Sequence, residues 1–577
     1  MRWHRYLAKK PKVFLAGVLV LFLNSCGLSQ GPAMVSTANI HASKAALEIL
    51  QAGGSAVDAA IAAQLVLGLV EPQSSGIGGG AFMLHWSEKD RKVEAYDGRE
   101  RAPAEASESL FLTSQGKRMA FKDAVVGGRS VGVPGVVALL ARAHKNHGKL
   151  PWPRLFRAAI QLAEGGFEVS PRLNALIKRN PLLLTQKNTR NYFYEKAPGN
   201  KSKRQPLPVG YLLKNPAYAQ TLKLIAKGGE DAFYKGPIAK AIVAAVNAHP
   251  NKGLLSESDF EQYKAKKRTS LCRPYRAYRV CGMPPPTSGG IAVLQILGLL
   301  EPFKLDRLRP NSTMATHLIS EASKLAFADR NFYVGDSDYV DVPVEGLLAK
   351  PYLLRRTTLI SPARAMPKAR AGLPDETRAA NQTSSPDKSL PSTSHFSIVD
   401  SSGNAVSMTT SVEGPFGSHL MVEGFLLNNQ LTDFSFVPDA EGRKVANRVT
   451  GGKRPRSSMS PTIILDENGE FYAAIGSPGG SSIIGYVAQT IIALIDWKLP
   501  MREAIALPRV INRNGVTDLE KATVLEKIAP RLEKLGHTIR IRPLTSGLHG
   551  IVKTSSGRLD GGADPRREGV VMGYKKQ

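Results

Sequence analysis

The sequence predicts a layered α/β protein in which strands are flanked by helices. Three observations lead there: two apolar helical stretches near the start, strand-like alternation in both halves of the chain, and an apolar helix after a Gly-rich turn close to the end. With 577 residues, 42% of them apolar and 22% charged, the chain has ample material for a buried core, which excludes disorder of the whole. Length alone leaves the number of domains open.

The first 25 residues stand apart from these elements. Arg2, Arg5, Lys9, Lys10 and Lys12 precede the apolar run Val13 to Leu23, and no acidic residue occurs before Glu48. This is the layout of a secretory signal peptide, with an apolar run shorter than the ~20 residues needed to span a bilayer. Export, to a periplasm, is the expectation. The run ends in Leu23-Asn24-Ser25-Cys26-Gly27, which resembles a bacterial lipobox, so Cys26 is the expected site of lipid attachment.

Residues 41–51 then predict a helix with Ala45, Ala46, Ile49 and Leu50 on one face, stopped by Gly53-Gly54. Ser55 and Asp58 form a capping signal for a second apolar helix from Ala56 to Val70. Alternation at 80–86 and 93–96 predicts strands facing a core on one side. Helical patterns follow at 134–146 and 153–164 and dominate to about residue 330. Cys272 and Cys281 lie around Arg273-Pro274-Tyr275-Arg276 in a strand-turn-strand pattern. In an oxidising compartment they form either a hairpin disulfide or two buried thiols, and without neighbouring His or Cys they make no zinc site.

Between 361 and 392 the composition turns to Ser, Pro, Ala, Arg, Lys, Asn and Gln, the mark of a linker-like segment without a core of its own. It runs into Thr393-Ser394-His395-Phe396-Ser397-Ile398-Val399-Asp400, an alternating strand, and a turn at 401–404 leads to a second strand from Ala405 to Val412. Strands at 462–465 and 471–475, a Gly-rich turn at 476–480 and an apolar helix from Ile483 to Trp497 complete the pattern. A cleavable stretch abutting a strand that begins with Thr is what autoprocessing requires.

The 77 basic against 48 acidic residues, a formal charge of +29, raise nucleic acid, anionic membranes and acidic small molecules as partners. No zinc-finger spacing, RNP-like strand or concentrated basic helix accompanies the charge, so nucleic acid is not expected. Gly76 to Gly80 follows two serines and leads into a strand, which argues against a dinucleotide loop.

The run Thr393-Ser394-His395-Phe396-Ser397 resembles the start of the γ-glutamyltransferase small subunit. Leu427-Asn428-Asn429-Gln430 with Asp433-Phe434, Lys453-Arg454-Pro455 with Ser457-Ser458-Met459-Ser460-Pro461-Thr462, and Gly476-Ser477-Pro478-Gly479-Gly480 resemble the same family. So, before Thr393, do Ser75 to Gly80, Asp97 to Pro103, Val131 to Gly135 and Met283 to Pro286, all in the family's order. The resemblance implies a four-layer αββα N-terminal-nucleophile hydrolase sandwich built from both subunits of one self-cleaved precursor: a large subunit, 26–392, and a small catalytic subunit, 393–577. It implies cleavage between Ser392 and Thr393, attack of Thr393 on glutathione or another γ-glutamyl compound, and transfer to water or to an amino-acid or peptide acceptor, with no cofactor and no metal. The chemistry explains why Thr must come first. Its hydroxyl needs a nearby base, and a freed α-amine with a pKa of ~7.7–8.0 serves near neutrality.

By the same resemblance Ser411 is the hydroxyl partner of the nucleophile, and Gly479 and Gly480 supply the oxyanion hole. Arg99, Ser457 and Ser458 correspond to the positions that hold the donor α-carboxylate, for which an Arg fork is suited. Gln430 and Asp433 correspond to acceptors for its α-ammonium. His395, projecting from the strand, reads as structural. Two departures stand out. Glu413 replaces the Asn usual beside the ammonium, and the segment between Asp433 and Ser457 is short and lacks a Tyr that covers the pocket in some members, which implies a more open site. A cephalosporin or glutaryl acylase of the same fold is the chief alternative, and a non-catalytic surface lipoprotein is a further one.

Overall fold

The structure, a computed structural model, describes residues 32–374, 382–384, 392–440 and 442–574. Two antiparallel sheets pack face to face. The first has seven strands in the order Val570–Tyr574, Ala33–Thr37, Ser394–Val399, Ala405–Ser411, Gly80–Ser87, Lys92–Gly98, Lys266–Thr269. The second has six, in the order Leu559–Ala563, His549–Lys553, Phe471–Gly476, Thr462–Leu465, Tyr278–Gly282, Leu271–Tyr275. Both sheets combine strands from before and after Thr393, interleaved in the first and side by side in the second, so neither half could close the core alone.

Helices cover the two outer faces. Ile40–Gln51, Ala56–Val70, Val136–His147 and Arg157–Gly165 share one core with the first sheet, and Gly289–Leu300, Thr313–Tyr333 and Ile483–Ile495 share another with the second. The result is the αββα order. Ala56–Val70 starts on the expected capping box: Ser55 Oγ accepts from Asp58 N at 3.1 Å, and Asp58 Oδ2 accepts from Ser55 N at 3.0 Å. All fifteen of its residues are buried, as a helix sandwiched between a sheet and an outer helical layer must be.

The alternation in Gly80–Ser87 has a different meaning from the one expected. Every residue of this strand is buried. Ala81 and Met83 join the helical core, whereas Phe82, Leu84 and Trp86 join the core between and behind the sheets. Alternation here assigns side chains to two interiors, because both faces of a central sheet are covered. The two strands that follow Thr393 behave the same way. Phe396, Ile398, Val406 and Met408 face the helices, and the positions of opposite parity, His395, Ser397, Ser407 and Thr409, face the second sheet. Ser407 Oγ donates to Ile475 O at 2.9 Å, stitching the two sheets together.

Three further expectations concern loops and links. The turn at 401–404 is organised by Asp400, whose Oδ1 accepts from Ser402 N at 2.8 Å and Asn404 N at 3.0 Å. Cys272 and Cys281 are cross-strand partners in the edge hairpin of the second sheet and are joined by a disulfide, in the other sheet from Ser394–Val399. The first part of the linker-like segment is anchored on the body: Met366 N donates to Glu321 Oε2 at 2.7 Å, Lys324 Nζ to Met366 O at 2.7 Å, and Ala365 N to Leu535 O at 2.6 Å. It has no core of its own and borrows one. Cys26 lies outside the described residues, and among those described no helix is long and apolar enough to cross a membrane.

Candidate active site

Thr393 enters the first sheet just before the strand Ser394–Val399, with its side chain on the face shared with Ser411 of the neighbouring strand. The two hydroxyls are 3.0 Å apart. Thr393 has φ +93°, a left-handed conformation that a β-branched residue adopts only at a cost of about 1–3 kcal/mol. The surroundings hold it there. Ser392 Oγ donates to Gln73 O at 2.6 Å, Arg567 Nη1 donates to Thr393 O at 3.1 Å, and Ser394 Oγ donates to Glu71 Oε2 at 2.7 Å.

The carbonyl oxygen of Ser392 accepts a hydrogen bond from Gly479 N at 3.2 Å. Gly479 has φ +133°, and a Cβ there would lie 2.8 Å from Tyr486 Cε2, so Gly is required both by backbone and by space. Gly480, at φ +58°, opens a short turn into the helix Ile483–Ile495. The predicted Gly-rich turn thus directs an N–H at the peptide bond that precedes Thr393.

A cleft of ≈ 330 Å³ opens over Thr393. Arg99, Ser411, Glu413, Gln430, Asp433, Ser457, Ser458 and Gly480 line it, so the predicted residues converge, with Gly479 just behind them at the Ser392 carbonyl. Arg99 is fully buried and comes from the loop after the strand Lys92–Gly98. Its Nη2 donates to Asp433 Oδ2 at 2.6 Å and to Arg456 O at 3.2 Å, and its Nε donates to Pro455 O at 3.0 Å. Gln430 Nε2 donates to the same Asp433 oxygen at 2.7 Å.

Glu413 lies at φ +79°, its N–H donating to Ser411 Oγ at 2.9 Å and its Oε2 accepting from Asn429 Nδ2. Ser457 Oγ accepts from Met459 N at 3.1 Å, and Ser458 Oγ accepts from Arg330 Nη2 at 2.7 Å. The Met283–Pro286 block supports this wall, because Ser457 N donates to Pro286 O at 3.1 Å. His395 is buried, with Nδ1 2.8 Å from Thr409 Oγ1 and its ring against Gly476. Burial pulls its pKa well below the usual histidine value, so it is neutral and tied into the sheet.

Three residues of the cleft were not foreseen. Arg456 and Met459 line it from the same run as Ser457, where only the serines stood out, and Ile483 lines it from the helix after Gly480. Arg330, which bonds Ser458, comes from the helix Thr313–Tyr333, and no local pattern in that helix marks it. As a whole the cleft offers a hydroxyl nucleophile, an N–H donor at the adjoining carbonyl, and paired cationic and anionic groups that can bind a zwitterion.

A family model described as γ-glutamyltranspeptidase matches residues 42–574. The glutathione hydrolase proenzyme of Bacillus subtilis strain 168 is 36% identical over 549 residues, which cover 94% of this chain and 91% of that protein. The glutathione hydrolase proenzyme of Escherichia coli K12 is 36% identical over 557 residues, covering 94% and 92%. Among solved structures, the cephalosporin acylase from Bacillus halodurans aligns with a TM-score of 0.82 at 27% identity, over 99% of this chain and 100% of that one.

Proposed function

Because the chain belongs to the γ-glutamyltranspeptidase family, we propose that it is a precursor that cuts itself before Thr393 and then acts as a glutathione hydrolase and γ-glutamyl transferase. In the first step Thr393 Oγ1 attacks the Ser392 carbonyl carbon, the C–N bond breaks, and an ester forms. Water hydrolyses that ester, leaving a carboxylate on Ser392 and a free α-amine on Thr393. The observation that carries this is the Ser392 carbonyl oxygen, which already accepts from Gly479 N at 3.2 Å in the intact chain. A donor at that oxygen is where negative charge develops, and such a donor is worth ~10²–10³ in rate.

In turnover the freed amine takes the proton of Thr393 Oγ1, which attacks the γ-carbonyl of the donor; Gly479 and Gly480 receive the oxyanion, and the leaving amine departs with the proton. Ser411 keeps the hydroxyl oriented. Arg99, with Ser457 and Ser458, takes the donor α-carboxylate, and Asp433 with Gln430 and Glu413 takes the α-ammonium. The γ-glutamyl group then passes from Thr393 to water or to an amine acceptor.

The leader and the Cys26 context support export and a lipid anchor, which would place the reaction in the periplasm. A second reading, an acylase for cephalosporin-type or glutaryl amides, is favoured by the likeness to the Bacillus halodurans acylase. Mass analysis of the N-termini of purified protein tests the main reading at its root. A peptide beginning at Thr393 is expected, and an uncut chain with activity would defeat it.

A further inference from the structure

Next to the catalytic cleft lies a second pocket of ≈ 620 Å³, whose lining includes Arg330, Asn331, Ser481, Arg513, Asp518 and Arg540. It shares a wall with the cleft. Arg330 lines this pocket while its Nη2 bonds Ser458 of the cleft at 2.7 Å, and Ser481 lines it while the preceding Gly480 lines the cleft. Three arginines and one aspartate thus line the same pocket.

That carboxylate is already committed. Asp518 Oδ1 accepts from Arg540 Nε at 2.6 Å, and its Oδ2 accepts from Arg540 Nη2 at 3.0 Å and Arg542 Nη2 at 2.8 Å. Arg513 differs. Its Nη1 donates to Ser481 Oγ at 2.7 Å, and among the described residues it has no ion-pair partner. Half-buried and steered by one neutral hydroxyl, it keeps the rest of its fork available to a planar anion.

We infer that this pocket binds a carboxylate on the leaving group of the donor, with Arg513 as the residue that selects for it. The inference rests on the γ-glutamyl transfer proposed above. There the γ-glutamyl end of the donor occupies the Arg99 and Asp433 side of the cleft. The leaving amine must run away from Thr393 in another direction, and the wall at Gly480 and Ser481 leads to Arg513. In glutathione the leaving group is a dipeptide ending in a glycine carboxylate, two residues and about 7 Å of chain from the scissile bond. An acceptor peptide enters where this group departs, so the same contact would favour acceptors with a free C-terminus.

The test compares kcat/KM for glutathione with that for its C-terminal carboxamide, which differs only in that charge. The unmodified enzyme should prefer the acid by about tenfold, the weight of one charge-assisted hydrogen bond. Arg513→Gln should bring the ratio close to one, and Arg513→Lys should restore part of it as a point charge. A ratio unchanged in Arg513→Gln, even with both rates lowered, assigns Arg513 to structure alone and overturns the inference, as does equal use of acid and amide by the unmodified enzyme. Failure of the unmodified enzyme to release glutamate from either compound defeats the γ-glutamyl reading itself, and the inference falls with it.

Discussion

Arg99 and Asp433 are bonded to each other across the floor of the cleft, Nη2 to Oδ2 at 2.6 Å, although 334 positions separate them in the chain. Each is the group assigned to one end of the donor's zwitterion. Before the donor arrives the two offset one another, which lets a buried cation persist in the cleft beside Thr393. A donor bringing both a carboxylate and an ammonium keeps that balance, whereas one bringing only a carboxylate does not.

Asp433→Asn should therefore reduce the preference for γ-glutamyl over glutaryl donors by orders of magnitude. The ammonium loses its partner, and Arg99 loses its counter-ion and holds a lone carboxylate more tightly. Breaking one side of a desolvated pair costs ~2–5 kcal/mol. The measurement is the ratio of kcat/KM for the two donors. If Glu413 carries the ammonium, the single change will act weakly and the double change with Glu413→Gln will be required. Equal use of both donors by the unmodified protein favours the acylase reading.

Thr393→Ala should remain one chain on denaturing electrophoresis and be inactive, while the unmodified protein resolves into fragments ending at Ser392 and beginning at Thr393. Ser411→Ala should slow cleavage about tenfold, since it removes the hydroxyl 3.0 Å from Thr393 Oγ1. Normal cutting of Thr393→Ala would show that another group attacks.

Gly479→Ala should lower kcat by ~10²–10³ and slow self-cleavage as well, because the same N–H faces the Ser392 carbonyl. The new methyl would meet Tyr486 at 2.8 Å on a backbone with φ +133°, so the N–H must move. Single-turnover kinetics on mature enzyme separate the two effects. Wild-type rates in this variant would place the oxyanion elsewhere.

Glu100 supplies a pH test. It is fully buried beside Arg99, Nη1 to Oε2 3.6 Å, and among the described residues neither carboxyl oxygen has a hydrogen-bond partner. Burial raises its pKa from 4.5 to about 8 against the pull of Arg99. Between those values the folded chain binds the proton and the unfolded chain does not, so this group's contribution is complete below about pH 4.5 and is lost as pH rises through about 8. Glu100→Gln cannot titrate. Its Tm relative to the unmodified protein should rise from pH 5 to about pH 8 and level off above that, and a constant difference would show that the carboxyl does not change charge in that window.

Cys26→Ala should release the protein from the membrane fraction of its cells without loss of activity. The lipid on Cys26 is the tether proposed above, and among the described residues no helix is long and apolar enough to cross a membrane. Fractionation followed by blotting reads the result, and a wholly soluble unmodified protein would count against lipidation while leaving export intact.

Local order in the chain determined a good deal of this molecule. The cap at Ser55 and Asp58, the turn after Asp400, the strand beginning after Thr393 and the Gly pair at 479 and 480 are each written within a few neighbouring residues, where backbone preference and side-chain alternation act. Ordered motif blocks also identified most of the cleft. What tertiary structure alone decided is which groups meet. Alternation could not reveal that both faces of Gly80–Ser87 are buried, since period two reports the parity of a side chain and is silent on what covers it. Nor could it show that Arg99 binds Asp433, that Arg330 reaches Ser458, or that Arg513 has no ion-pair partner among the described residues. These relations depend on how distant segments pack, because a charge takes its partner, its burial and its chemistry from neighbours in space.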